Sequence, residues 1–461
     1  MVRNISFYMF LGLILLAPLP FGSNRPWSWS LLSAAIGAML ILETLTGRGE
    51  KTEASWLFLK RMLPGLLLWS GVVIWIVIQM APGLPSEFAH PLWFEAAAII
   101  GVPTNAIISL DSDATGTALM RFLAYGGVFW LSARYCQDAE KAAFVLRAFV
   151  LASMIYAVYG LVIFFSGLEM ILWFDKWAYQ GQLVSTFVNR NTYATYAGLG
   201  MICSIALTFD VIGKRLHGIL TPKEMLRTFF ESVFNKAWMP FICVLVTTTA
   251  LLLTQSRGGF LSTCLAALIL IGALSYARLL PSVFGYSISV LSIFGGLFAF
   301  TLSGDIVFNR LKGTSLAASI RDDLYVMVID AISSNPIFGT GYGTFEQAFL
   351  PYKTLELSGF SWDKAHNSYL ELAMELGLPA TFAIMAIFVW LLGVFFKGLR
   401  KRRRRKVFTA IGLASTVLVA AHSLVDFSLQ IPGLTVTYAL LAGMAWAQSW
   451  SSSQRQKSKR S

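Results

Sequence analysis

The chain has 461 residues, of which 56% are hydrophobic and only 13% charged, with a formal net charge of +12. A soluble protein of this size carries roughly twice that share of charge, so a soluble class is excluded. The basic excess lies mainly between apolar segments, which argues against nucleic-acid binding and for a protein held in lipid.

Apolar runs near twenty residues match a hydrocarbon core of roughly 30 Å, and in lipid such runs must be helices. In chain order they predict spans over 7–22, 28–46, 63–81, 116–134, 144–166, 191–211, 239–255, 260–277, 283–303, 378–396, 407–425 and 433–449. Residues 7–22 imitate a signal peptide, but no small-residue cleavage site follows and the next span begins at once. They read as the first helix. The expected fold is an all-α membrane protein with about twelve transmembrane helices.

With the N-terminus in the cytoplasm, most of the 36 Lys and Arg residues fall in inside loops, above all in the run 397–406. This positive-inside bias puts both termini in the cytoplasm, and the basic run becomes an anchor at anionic lipid. The chain then divides into spans 1–9 (1–303), a large outer loop domain (304–377), spans 10–12 (378–449) and a basic tail (450–461). Cys136, Cys203, Cys243 and Cys264 lie in spans or at a cytoplasmic end, with spacings that suit neither a disulfide framework nor a metal site.

Two outer segments are too long for turns. The first, 82–115, has no Lys or Arg and carries Pro82, Pro85, Pro91 and Pro103, so short helices and turns are expected. The second, 304–377, has the length of a functional loop. In it, Ser319 to Ile332 reads as a helix stopped by Asn335-Pro336. Gly339, Gly341 and Gly343 mark a loop, and another helix starts near Asn367.

Three outer places carry strong chemistry. One is Phe187-Val-Asn-Arg-Asn191, just before the sixth span. The next lies in the apolar stretch 239–277, too long for one crossing, which must fold back at Ser256-Arg-Gly-Gly259. That puts Arg257 at the outer edge or inside the bundle, where an ionisable group is a functional candidate. The last is Asp363-Lys-Ala-His-Asn-Ser-Tyr369. Guanidinium is planar, always charged and bidentate, so Arg190 and Arg257 suit a pyrophosphate leaving group. His366 suits proton transfer from an acceptor hydroxyl. Each residue also has an ordinary reading: an arginine snorkelling to the interface, a loop histidine, Asn191 as a helix cap, Gly258-Gly259 as a tight turn. Spacing alone does not bring the three places together.

At these residues the chain resembles the O-antigen ligase and polymerase superfamily of bacterial membrane glycosyltransferases. The resemblance runs through Pro18-Leu-Pro-Phe-Gly22 with Arg25 and Trp27, Ser109 to Thr115, Thr186 to Asn191 and Thr254 to Gly259. It continues with Arg321, Asn335 to Gly343, Ala365 to Glu371 with Glu375 and Gly377, His422 to Phe427, and Gln430 to Pro432. It implies about twelve helices and a large periplasmic loop with short helices between spans nine and ten, in the bacterial inner membrane. It also implies metal-free, cofactor-free, inverting transfer of a glycan from an undecaprenyl-pyrophosphate carrier. Carried over, Arg190 and Arg257 hold the pyrophosphate and His366 activates or positions the acceptor. Arg321, Asn189, Asn191 and Asn367 join them as substrate-binding positions. One departure is Thr192, where the family often has a bulky residue.

Asp111-Ser112-Asp113 spells a metal-diphosphate signature, but Asp113 is placed to cap the fourth span. His422 and Asp426, four apart on one helix face, read as a structural hydrogen-bonded pair. His90 and His217 receive no role, and Trp27, Trp29 and Trp93 fit an interfacial belt. The acceptor stays open between lipid A–core (a ligase), a carrier-linked repeat (a polymerase) and a protein hydroxyl. A flippase or transporter is the rival class, although it would ordinarily show two related halves.

Overall fold

The computed structural model describes residues 2–46, 52–102, 106–216, 221–281, 323–353, 362–402 and 404–450. In chain order the helices are α1 (Val2–Leu16), α2 (Pro26–Thr46), α3 (Thr52–Met80), α4 (Leu92–Ile100), α5 (Ser112–Tyr135) and α6 (Ala139–Phe165). A two-stranded hairpin, β1 (Met170–Ile171) and β2 (Phe174–Asp175), precedes α7 (Arg190–Leu216), α8 (Pro222–Ser232), α9 (Trp238–Leu253) and α10 (Arg257–Tyr276). Then come α11 (323–334), α12 (Phe345–Phe349), α13 (Ser368–Leu376), α14 (Leu378–Lys401), α15 (Val407–His422) and α16 (Pro432–Ala447).

Among the described residues, seven helical segments are long and apolar enough to cross a membrane: Pro26–Thr46, Ser55–Met80, Ala139–Phe165, Arg190–Gly213, Lys223–Leu253, Arg257–Tyr276 and Leu378–Lys401. The protein is a multi-pass, all-α membrane protein. The expected ninth span, 283–303, lies outside the described residues. The first ends earlier than expected. α1 stops at Leu16, because Pro18 and Pro20 remove donors and favour turns, and Phe21–Ser23 forms a 3₁₀ turn instead.

The helices form two groups. α2, α3 and α16 pack around α5, while α6, α9, α10 and α15 pack around α7; α15 and α16 join the groups. Close approach relies on small residues, as expected where helices pack in lipid. A Cβ on Gly443 of α16 would stand 2.6 Å from the Phe129 carbonyl oxygen of α5.

The described part of the segment 304–377 has its own small core of Leu324, Val328, Phe345, Phe349, Ala365 and Met374. Gln79, at the end of α3, ties it down. Its amide nitrogen donates to the carbonyls of Phe338 and Glu375, each at 2.9 Å, and its oxygen accepts from Tyr342 N. Gly339 has φ 69°, and a Cβ there would lie 2.3 Å from the Glu375 carbonyl oxygen, so only glycine fits this seam.

Glu375 is buried and accepts from Phe345 N at 3.0 Å. Burial, reinforced by Glu371, pushes its carboxyl up from 4.5 to about 7. A raised carboxyl pKa means that the folded state holds the proton more tightly than the unfolded chain does. This stabilising contribution is full below pH 4.5 and is lost as pH rises through about 7. Thermal unfolding between pH 5 and 8 should therefore show declining stability that Glu375→Gln flattens. An identical decline in the variant would remove Glu375 as its cause.

Candidate active site

Three segments distant in sequence meet at one end of the bundle. The first is the entry to α7. Ser185, at φ 52°, donates to the Tyr156 carbonyl at 2.8 Å, and Thr186 donates to the Pro18 carbonyl at 2.8 Å. Asn189 is buried, and its side-chain oxygen accepts from Asn191 N at 2.7 Å. The cap is thus Asn189, not Asn191 as the sequence reading allowed. Arg190 follows, half-buried, with its guanidinium 5.7 Å from the Tyr179 ring centroid.

The second segment is the α9–α10 turn. The fold-back occurs as expected, but the turn residue is Gln255, at φ 55°, and Ser256 caps α10 by accepting from Gly259 N. The two glycines are therefore not the turn. They lie in the first turn of α10 and are small because neighbours press on them. A Cβ on Gly259 would be 2.6 Å from the Ala194 Cβ of α7. One on Gly258 would be 2.8 Å from Val425 and 3.3 Å from the His422 ring. These glycines let α10 wedge between α7 and the end of α15, which brings Arg257 to the same end as Arg190. Arg257 itself is exposed.

The third segment is the turn into α13. Ala365 N donates to Glu371 Oε2 at 2.9 Å, and Lys364 pairs with Glu371 Oε1 at 3.2 Å. Burial works against the Lys364 ammonium, yet Glu371 and Glu375 outweigh it and raise its pKa. Asn367 caps α13, accepting from Tyr369 N and Leu370 N. The side-chain oxygens of Asn189 and Asn367 are thus engaged with backbone. Ser368 N donates to the Ser423 carbonyl, and Tyr369 Oη donates to that of Ala420, which stitches the turn to the end of α15. His366 sits between these ties in the left-handed region, at φ 52°. A non-glycine residue there costs about 1–2 kcal/mol, and here the surrounding bonds hold it in place.

The His366 ring lies edge-on to Phe427, with centroids 5.0 Å apart, and its Nδ1 is 3.9 Å from Asp426 Oδ1. Asp426 Oδ2 is 3.9 Å from His422 Nε2. His422 Nδ1 lies 2.7 Å from Thr195 Oγ1, one turn beyond Asn191, whose carbonyl accepts from that hydroxyl. The His422–Asp426 pair is therefore not the isolated hydrogen-bonded pair expected from its spacing. It is at ion-pair range, fully buried, and continues on both sides. One side leads to His366, the other to α7 and to Gly258 beside Arg257. Arg321 lies outside the described residues.

Asp111, rather than Asp113, caps α5, with its Oδ1 accepting from Ala114 N at 2.9 Å. Residues 242–385 match a family model described as O-antigen ligase. Residues 242–385 thus form a region of the O-antigen ligase type. The match takes in Arg257 and His366, whereas Arg190, His422 and Asp426 lie outside it. No curated protein shows a significant match to the chain.

Proposed function

We propose that the protein transfers a glycan from an undecaprenyl-pyrophosphate carrier to an acceptor hydroxyl at the periplasmic face of the inner membrane. The match of residues 242–385 to the O-antigen ligase family supports glycosyl transfer of the ligase or polymerase type. The acceptor is lipid A–core or another carrier-linked repeat. The topology of this reading has twelve spans, both termini cytoplasmic and the loop 304–377 periplasmic.

The carrying observation is the cluster of His366, Asp426 and His422, with successive side chains 3.9 Å apart, packed against the first turns of α7 and α10. It brings the residue suited to proton transfer to the end of the bundle where the helices of both candidate phosphate clamps begin. Arg190 and Arg257 take the pyrophosphate oxygens and stabilise charge as the anomeric C–O bond breaks. Asp426 lies beside His366, and the imidazole accepts the acceptor's proton as the acceptor oxygen bonds to the anomeric carbon. The 3.9 Å separation tightens to hydrogen-bond range around the bound acceptor in this reading. Two guanidiniums supply charge stabilisation of the kind a metal gives elsewhere, so the reaction needs no divalent ion. Asn191 and Arg321 complete the substrate contacts, and Asn189 and Asn367 hold the ends of α7 and α13.

The test is reconstitution in lipid with the native host's undecaprenyl-pyrophosphate glycan, without divalent metal, while the glycan's linkage is followed. Transfer to an acceptor is expected, falling by at least about 100-fold in Arg257→Ala and in His366→Ala. Movement of the carrier across the bilayer without a new glycosidic bond would replace this reading with a flippase.

A further inference from the structure

The imidazole of His366 is 18% exposed, so an incoming group can reach it. Three neighbours set the direction of approach. Phe427 meets the ring edge-on at 5.0 Å between centroids, and Asp426 Oδ1 stands 3.9 Å from Nδ1. Both residues are buried. The third neighbour is Trp362, whose ring is perpendicular to the imidazole with centroids 6.0 Å apart. Trp362 is only half-buried. Phe427 and Asp426 close their sides of the imidazole, and of the three neighbours Trp362 alone keeps open surface. A group that reaches the imidazole from that side lies against the indole.

The indole is held where it stands. Part of it packs on the small core of Leu324, Val328, Phe345 and Phe349. Between Trp362 and His366 the turn is pinned at Lys364 and Ala365, both bonded to Glu371, and Tyr325 Oη donates to the His366 carbonyl at 3.1 Å. A tryptophan at a span end ordinarily belongs to an interfacial belt. Trp362 packs instead on the core of the segment 304–377, ahead of α13. An indole offers a broad, rigid, electron-rich face that loses little freedom on binding. A pyranose carries the matching surface: C–H groups project from one face, while equatorial hydroxyls point outward around the rim. Stacked on the indole, such a sugar covers its C–H face and still turns a rim hydroxyl toward His366. Asp363, the next residue, is exposed, and its carboxylate is suited to accept from a second rim hydroxyl. A serine or threonine of a polypeptide brings no such face.

We infer that Trp362 is the stacking platform for the acceptor, and that it selects a pyranose whose C–H face lies on the indole while one hydroxyl meets His366. This rests on the glycosyl-transfer reading and names the residue that chooses a sugar hydroxyl over a protein one.

The full-length protein in lipid nanodiscs is assayed as wild type, Trp362→Phe and Trp362→Leu, with the native host's carrier-linked glycan as donor. The acceptors are the host's delipidated core oligosaccharide, its repeat-unit oligosaccharide and a serine-rich peptide. Leucine fills the place on the loop core without an aromatic face, whereas phenylalanine keeps one. For the saccharide that wild type uses, the acceptor KM should rise about tenfold in Trp362→Leu and about threefold or less in Trp362→Phe. The donor KM should stay constant in both. A tryptophan that merely packs predicts equal effects of the two variants, in step with Tm, and that result overturns the inference. A fall in kcat at unchanged acceptor KM, a rise in donor KM, or wild-type transfer to the peptide as efficient as to the saccharides also overturns it. Failure to form a glycosidic bond with any acceptor, despite carrier binding, sinks the glycosyl-transfer reading and this inference with it. Saccharide transfer that Trp362→Leu leaves unchanged sinks the platform alone.

Discussion

Arg257→Lys is expected to lose about 10²- to 10³-fold in kcat/KM for the carrier-linked glycan, at unchanged expression and Tm. The charge is retained, so a loss of this size isolates geometry. Lysine offers a point charge on a flexible stem, whereas guanidinium presents a rigid fork that matches two phosphate oxygens at once. Arg257 is exposed in the first turn of α10, where Ser256 and Gly259 already satisfy the cap, so its replacement leaves no buried group unpaired. Arg190→Lys should lose by a similar factor but with some fall in Tm, since the Arg190 guanidinium also covers Tyr179. Steady-state kinetics in nanodiscs, with thermal unfolding of the same preparations, make the comparison. Activity within a few-fold of wild type in Arg257→Lys would exclude bidentate recognition at that position.

Much of the helical layout is legible in the sequence, because lipid leaves so few ways to satisfy a backbone. The fold-back between α9 and α10 follows from length alone, since an apolar stretch over 239–277 exceeds one crossing. What length does not report is why the residues at the fold-back are small. Gly258 and Gly259 look like turn formers, yet they make room for Val425, His422 and Ala194, two of which lie more than 150 residues away in the chain. Periodicity cannot see such neighbours. The end of α1 was open to a closer reading, since Pro18 and Pro20 already forbid a helix through residue 22.

In the candidate site, chemistry was easier to find than assembly. The guanidinium and imidazole candidates stand out because charge is rare in this chain. The partnership of His366 with Asp426 has no local signal. The two are sixty positions apart, and their meeting depends on Ser368 and Tyr369 bonding to the end of α15. Read locally, the i, i+4 spacing makes Asp426 the partner of His422 alone. The capping oxygens of Asn189 and Asn367 show the same blindness: a polar residue beside a reactive one reads as a ligand contact until the helix start is located.

Asp426→Asn should separate orientation from mere packing around His366. Asparagine keeps the volume and the oxygen that accepts from Phe427 N at 2.7 Å, so the fold of the 422–431 segment is preserved. It removes the negative charge 3.9 Å from His366 Nδ1, and with it the stabilisation of an imidazolium formed when His366 takes the acceptor's proton. With the amide oxygen kept at the Oδ1 position, the nitrogen takes the Oδ2 position towards His422 Nε2, and the imidazolium at His366 meets a neutral dipole in place of a charge. Together these effects predict a fall in kcat of about 10²- to 10⁴-fold, with the carrier's KM little changed. The acidic limb of the kcat/KM profile should move to lower pH, because imidazolium is disfavoured once the carboxylate is gone. His422→Gln should cost much less, since His422 meets the carboxylate at Oδ2 and leaves the Oδ1 contact intact. If Asp426 served only to hold the segment, Asp426→Asn would lower Tm and yield while leaving the acidic limb where it is in wild type. A shifted limb at normal Tm is the result a purely structural carboxylate cannot produce.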